Sequence, residues 1–257
     1  MDTSVTCTVP FRFGRRIGDA WTCPHCGRKW VVDSNMHDSH LPFGDYTWWT
    51  EIERPGLTGK LFGPRRVRAT RFQEEPPAAD RARMQTLLHL FASLGLPREM
   101  VFALYDHNPA AELAYHGAAH GVATAARAID FASASALGAE NIRPLAVAAL
   151  FHDAGYVPGD SEDDNLARAV AFTLTHGAEY GQAAAALIPE TRFPHTDPSS
   201  IVGAVLQDAD LLQCFDTDRD RWIRAYKTET GKPALLDFPT LDMLHTSRAR
   251  QYRARAH

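Results

Sequence analysis

Four cysteines in 257 residues are too few and too irregularly spaced for a disulfide framework, so a reducing, cytoplasmic setting is expected. No apolar run approaches the roughly 18 residues that a membrane crossing needs, so no membrane partner is expected. The opening MDTSVTCTVPFRFGRR has no apolar segment of the kind a secretory signal carries. Formal net charge is only −4, which gives the whole chain no strong pull on nucleic acid or lipid headgroups. There is no internal repeat, and beyond residue 84 no alternating pattern of the kind that marks a half-buried strand. What is present is ordinary globular material, 45% hydrophobic and 23% charged, in a chain long enough for one large domain or a domain with an appendage.

Charge is divided unevenly. Residues 1–83 carry 13 Lys/Arg against 10 Asp/Glu, and residues 84–257 carry 14 against 21. The first part is therefore +3 and the second −7. Residues 1–70 hold four of the five tryptophans and many Gly and Pro, and read as short strands and turns. Within them Lys60, Arg65, Arg66, Arg68 and Arg71 form a basic run. It reads as a solvated loop, with a nucleic-acid contact as the alternative. RFQEEPPAADRAR, 71–83, reads as a linker, because Pro76–Pro77 exclude helix locally.

From Met84 onward the pattern is helical. Leu87, Leu88, Phe91 and Leu94 recur at helical spacing until Gly95 and Pro97. Further helices are expected over 110–137, 141–153, 163–176, 178–188, 199–215 and 217–228, all rich in Ala and Leu. The expected fold is an all-α bundle of about six or seven helices over 84–257, preceded by a small β/turn-rich appendage.

Three of these helices carry polar residues inside apolar runs. AYHGAAHGVATAARAIDFA holds His116 and His120, at i and i+4 and so expected on one helix face. PLAVAALFHDAGY ends in His152–Asp153, and SIVGAVLQDADLLQCF contains Asp208 and Asp210. A buried carboxylate or imidazole is costly unless matched, and a divalent cation turns that cost into coordination. His152 and Asp153 would diverge by about 100° on a regular helix, but Gly155 and Pro158 release the backbone and let both reach one ion. His120, His152, Asp153 and Asp210 offer two nitrogens, two oxygens and no thiolate. That set suits Mn, Fe, Co, Ni, Zn or Mg, one ion or two, and leaves positions open for water, as a catalytic site requires.

The order H…HD…D resembles the HD-domain superfamily of metal-dependent phosphohydrolases. YHGAAH resembles a segment shared by cyclic-nucleotide phosphodiesterases and a bacterial group of HD phosphohydrolases. ALFHDAGYVPGDSEDDN, LIPETRFPH and LQDADLL are similar to further segments of that bacterial group. The likeness covers roughly residues 105–226, and it implies an HD-type helical bundle. It assigns His120 as the first metal histidine, His152 and Asp153 as the doublet, and Asp210, rather than Asp208, as the last metal aspartate. It makes His116 the proton donor to a leaving oxygen, and it puts His195 near a second metal or the substrate. Of the acids after the doublet, only Asp164–Asn165 matches its pattern. Gly117 stands where the phosphodiesterases carry Asn, and Leu166 where the bacterial group has an acid.

The expected activity is hydrolysis of a phosphoester, in particular a nucleotide (monophosphate, triphosphate or cyclic), by metal-activated water. Asp153 would both hold metal and serve catalysis, with His116 as general acid. Arg127, Arg143 and Arg192 are candidate phosphate clamps. One alternative is a mixed-valent di-iron HD oxygenase, which would draw on His176 and His195. Another is a non-catalytic HD protein that binds a nucleotide.

WTCPHCGRKW is a separate feature. Cys23-x₂-Cys26 before Gly27 resembles a zinc knuckle, whose tight turn aims two thiolates at one ion. Cys7, His37 and His40 are the candidates for the remaining ligands of a structural zinc. Cys214, in LLQCF, reads as a small core residue.

Overall fold

The structure, a computed structural model, describes residues 9–10, 19–24, 27–34, 47–52, 66–68, 77–194, 197–215, 219–231 and 240–255. Two compact units divide between Arg81 and Ala82.

In the first unit, β1 (Ala20–Thr22), β2 (Lys29–Ser34), β3 (Thr47–Ile52) and β4 (Arg66–Arg68) form an antiparallel sheet in chain order. Their Trp, Val and Thr content favours extended backbone. Trp21 faces Trp30 across β1 and β2, and both are buried with Val9, Cys23 and Val32. The turn between these strands is tight. Gly27 N–H donates to Cys23 O and Cys23 N–H to Arg28 O, each 2.8 Å. Gly27 has φ +70°, which glycine adopts without penalty. Arg66 and Arg68 of the basic run lie on β4, whereas Lys60, Arg65 and Arg71 fall outside the described residues.

The second unit is helical, as expected. Its elements are α1 (Ala78–Leu94), α2 (Glu99–Asp106), α3 (Ala118–Ala134), α4 (Ala139–Phe151), α5 (Glu162–His176), α6 (Gly181–Leu187), α7 (Ile201–Leu211), α8 (Arg219–Thr230) and α9 (Ser247–Arg255). Three differences from the sequence reading stand out. Helix α1 begins within the expected linker, immediately after Pro77, where a proline needs no N–H. Helices α2 and α9 were not expected. The first is only eight residues long and the second is almost wholly polar, so neither gives a sustained apolar period.

The third difference bears on the site. The helix expected over 110–137 starts only at Ala118, with Gly117 as its extended N-cap. A Cβ on Gly117 would lie 2.2 Å from Leu113 O, so the preceding loop folds too close for any side chain there. His116 consequently precedes the helix, and His116 and His120 do not share a helix face.

Helices α3 and α4 pack side by side, α7 crosses both, and α5 and α6 close the other side of α4. Both helices are rich in buried alanines, among them Ala118, Ala125, Ala128, Ala146 and Ala149, small side chains that let helix backbones come close. Gly121 marks the closest approach: a Cβ there would sit 2.4 Å from Leu150 O. This contact adjoins His120 on one helix and lies two residues before His152 on the other.

Buried Asp208 accepts the N–H groups of His245 and Thr246, each at 2.8 Å, and Thr246 Oγ1 accepts from Ala249 N–H at 3.2 Å. Burial pushes the Asp208 carboxyl up, and the N–H donors only partly offset it. Asp208 thus anchors the start of α9 and turns away from Asp210.

Gly121→Ala should force α3 and α4 apart and destabilise the domain by about 1–3 kcal/mol, the usual cost of overpacking. Chemical denaturation checks this, and an unchanged midpoint and slope would contradict it.

Candidate metal centre

Three chain segments bring two histidines together with two aspartates. His120 is the third residue of α3, His152 and Asp153 follow directly on α4, and Asp210 lies near the end of α7. His120 Nε2 lies 3.1 Å from His152 Nε2, 3.2 Å from Asp153 Oδ2 and 3.0 Å from Asp210 Oδ1. His152 Nε2 lies 3.2 Å from Asp153 Oδ2 and 3.3 Å from Asp210 Oδ1. Neighbouring ligands of an ion with ~2.1 Å bonds are separated by about 3.0 Å at right angles and about 3.4 Å at the tetrahedral angle. The observed separations fall in that range.

The arrangement needs positive charge. His152 Nδ1 lies 2.9 Å from Ala149 O, so Nδ1 carries the proton and neutral His152 presents the Nε2 lone pair. That second bond is what orients a metal-ligating histidine. The two histidine side chains are each 1% exposed, so water cannot separate their facing nitrogens. The carboxylates are about one-fifth exposed, which makes theirs the open side. His120, His152 and Asp153 offer ligand atoms that all lie within 4.8 Å of one another and could hold a cation, with Asp210 beside both imidazoles.

Without a cation, protons fill the role. Burial would lower both imidazoles, but the hydrogen bonds and charges of Asp153 and Asp210 outweigh it and raise them, His152 well above its ordinary value. Burial would raise both carboxyls, but the imidazoles hold them far below the usual carboxylate range.

His116 stands beside this group on the loop before α3. Its Nδ1 lies 2.5 Å from Glu229 Oε1 of α8. Glu229 Oε2 also accepts the Tyr115 N–H at 2.8 Å and the His116 N–H at 3.4 Å. Burial favours the acid form of Glu229, but these donors outweigh it and lower its pKa. With Nδ1–H committed to Glu229, Nε2 is the nitrogen left for chemistry. Tyr156 stacks on the imidazole at 3.8 Å between centroids and 16° between planes. Burial, then Asp153 and Glu229, push its phenol up to about 12, so it stays protonated.

Tyr156 sits in a short loop after the doublet. Gly155, at φ +81°, donates its N–H to buried Asn108 Oδ1 at 2.8 Å and accepts from Arg168 Nε at 2.7 Å. Val157 N–H donates to buried Asn165 Oδ1 at 2.9 Å. The acids that follow are used locally. Ser161 caps α5, and Glu162, Asp163 and Asp164 lie in its first turn, where the helix dipole favours them.

Other expected site residues lie elsewhere. His176 stacks on His107, 5.3 Å between centroids, and leans on Phe172; it is not among the grouped ligands. His195 lies outside the described residues, as do Cys7, Cys26, His37 and His40. Cys23 is a buried thiol outside any disulfide, and the Cys214 side chain is not described. None of the three candidate arginine clamps is spare. Arg127 is buried and donates to Ala209 O and Gln213, Arg143 donates to Leu94 O, and Arg192 pairs with Asp163. Tyr156 lies in the FHDAGYVP stretch that carries the resemblance, but the sequence reading gives it no role, and Glu229 and Asn108 have no counterpart there. Glu229 is 113 residues from His116, and nothing local in KTET marks it.

The pH dependence of metal binding follows from these shifts. The raised imidazoles contribute stability fully below the unfolded value near ~6.5, and that contribution is lost as pH rises through their folded values. The depressed carboxylates contribute above about 3.9, and lose that contribution as pH falls toward their folded values. The metal-free site is thus best satisfied between these limits. A cation displaces the imidazole protons, so its stabilisation grows above that window. Thermal melts with excess Mn²⁺ or Co²⁺ against EDTA should show a larger gain at pH 8 than at pH 5.5. At a hundred times Kd the gain corresponds to about 2.7 kcal/mol. Asp210→Asn should abolish most of it; an equal gain in that variant would contradict the site.

Compared with protein-family models, curated proteins and solved structures, the chain matches none. The functional reading therefore rests on the cluster itself.

Proposed function

We propose that this chain is a metal-dependent phosphohydrolase of the HD type, acting on a phosphoester, in particular a nucleotide. The observation that carries the reading is the convergence of His120, His152, Asp153 and Asp210, open on its carboxylate side, with an imidazole held beside it. Those four residues would hold the cation, one ion or two. When bound, it supplies Lewis-acid charge for a phosphoryl oxygen and lowers the pKa of coordinated water.

The chain's own groups supply the rest. Glu229 fixes the His116 ring through Nδ1, and protonated Nε2 gives its proton to the leaving oxygen. Asn108, Asn165 and Arg168 hold the loop after Asp153, so that carboxylate is positioned before substrate arrives. Preorganisation of this kind avoids reorganisation during the reaction. The di-iron reading draws on His176 and His195, and the placement of His176 on His107 gives it no support. The structural zinc at Cys23 and Cys26 remains part of the proposal through the tight Cys23–Arg28 turn.

Metal-loaded protein should hydrolyse bis-p-nitrophenyl phosphate or a member of a nucleotide panel. Asp153→Ala should reduce turnover at least ~100-fold through loss of the metal site. His116→Ala should slow it by about 10²–10⁴-fold at unchanged metal content. Metal-dependent turnover that survives Asp153→Ala would refute the proposal. Nucleotide binding without any turnover would favour the non-catalytic alternative.

A further inference from the structure

We propose that Tyr156 is a substrate-contacting residue whose phenolic O–H donates to a phosphoryl oxygen seated at the cluster, while its ring covers one face of His116. This rests on the phosphohydrolase reading and names a group within that site.

The first argument is the mount. Tyr156 lies between two residues whose backbones are tied by side chains from other elements. Gly155 is held on both its N–H and its C=O, by Asn108 and Arg168, and Val157 on its N–H by Asn165. Tyr156 N–H itself donates to Asp153 O at 3.1 Å, which links the tyrosine directly to a cluster residue. A Cβ at residue 155 would meet the Arg168 side chain at 3.1 Å and a positive φ, so the turn is shaped for glycine. Two buried asparagines and an arginine thus fix the backbone around a side chain that is itself partly exposed.

The second argument is the hydroxyl. Among the described residues it has no hydrogen-bond partner, although the ring is fixed against His116 at 3.8 Å. A positioned donor left unused by the protein is available to a ligand.

The third argument concerns charge. An anionic phosphoester approaching this side meets Asp153, Glu229 and Glu162, all of which act on the Tyr156 phenol. The nearby arginines are committed, Arg192 to Asp163 and Arg168 to Asp160 and Gly155 O. His116 and Tyr156, stacked on one another, are donors on this side that, among the described residues, no ion pair with an arginine or lysine occupies. Donors to charged oxygens are the stronger class of hydrogen bond.

The test uses the full-length, Mn²⁺-loaded protein with inorganic phosphate as probe, measured by calorimetry. Tyr156→Phe keeps the ring on His116 and removes only the O–H. It should leave metal stoichiometry and Tm unchanged and raise the phosphate Kd about tenfold to a hundredfold. Wild-type phosphate affinity in Tyr156→Phe overturns the assignment and leaves the hydrolase reading standing. If loaded wild-type protein neither binds phosphate nor hydrolyses any phosphoester, both fall.

Discussion

Two imidazole nitrogens held 3.1 Å apart, both buried and both aimed at the same two carboxylates, require positive charge between them. The rest of the helical unit can be understood as what keeps them there. Ala149 O commits the far side of His152, which turns Nε2 inward. Gly121 lets α3 approach Leu150 O closely enough to bring His120 opposite. Arg127, running from α3 to Ala209 O, ties the residue before Asp210 to the same helix. Each contact is small, but together they hold four donors in place at a cost in desolvation that only protons or a cation offset.

The site is also asymmetric, and the asymmetry is chemical. Its floor is imidazole and dry; its mouth is carboxylate and partly wet. On the mouth side stands a second layer, His116 fixed by Glu229 and covered by Tyr156. On the proposed reading, this imidazole is the group that would protonate the leaving oxygen. The short loop from Asp153 to Val157 carries one residue of each layer, Asp153 and Tyr156, while His116 is held separately by Glu229.

Much of this was legible in the sequence. Ala- and Leu-rich periodicity located most helices, and apolar context made His120, His152, Asp153, Asp208 and Asp210 conspicuous, with the choice of Asp210 over Asp208 resting on the resemblance. What periodicity could not show was where a helix fails to start. His116 and His120 have helical spacing, yet Gly117 breaks the helix between them because the loop at Leu113 passes too close. Helices α2 and α9 gave no sustained apolar period, one being only eight residues long and the other almost wholly polar. Glu229 and Asn108 act on partners 113 and 47 residues away, and only tertiary folding makes them neighbours. His176, a candidate only for a second metal or the substrate, packs on His107.

The central claim is that one cation site is formed by these four side chains. Anomalous diffraction from crystals of the Mn²⁺-loaded protein, collected at the manganese edge, tests it most directly. The account predicts a peak enclosed by His120, His152, Asp153 and Asp210, with ligand distances near ~2.1 Å. Fully loaded crystals with no peak there, or with manganese only elsewhere on the chain, would contradict it.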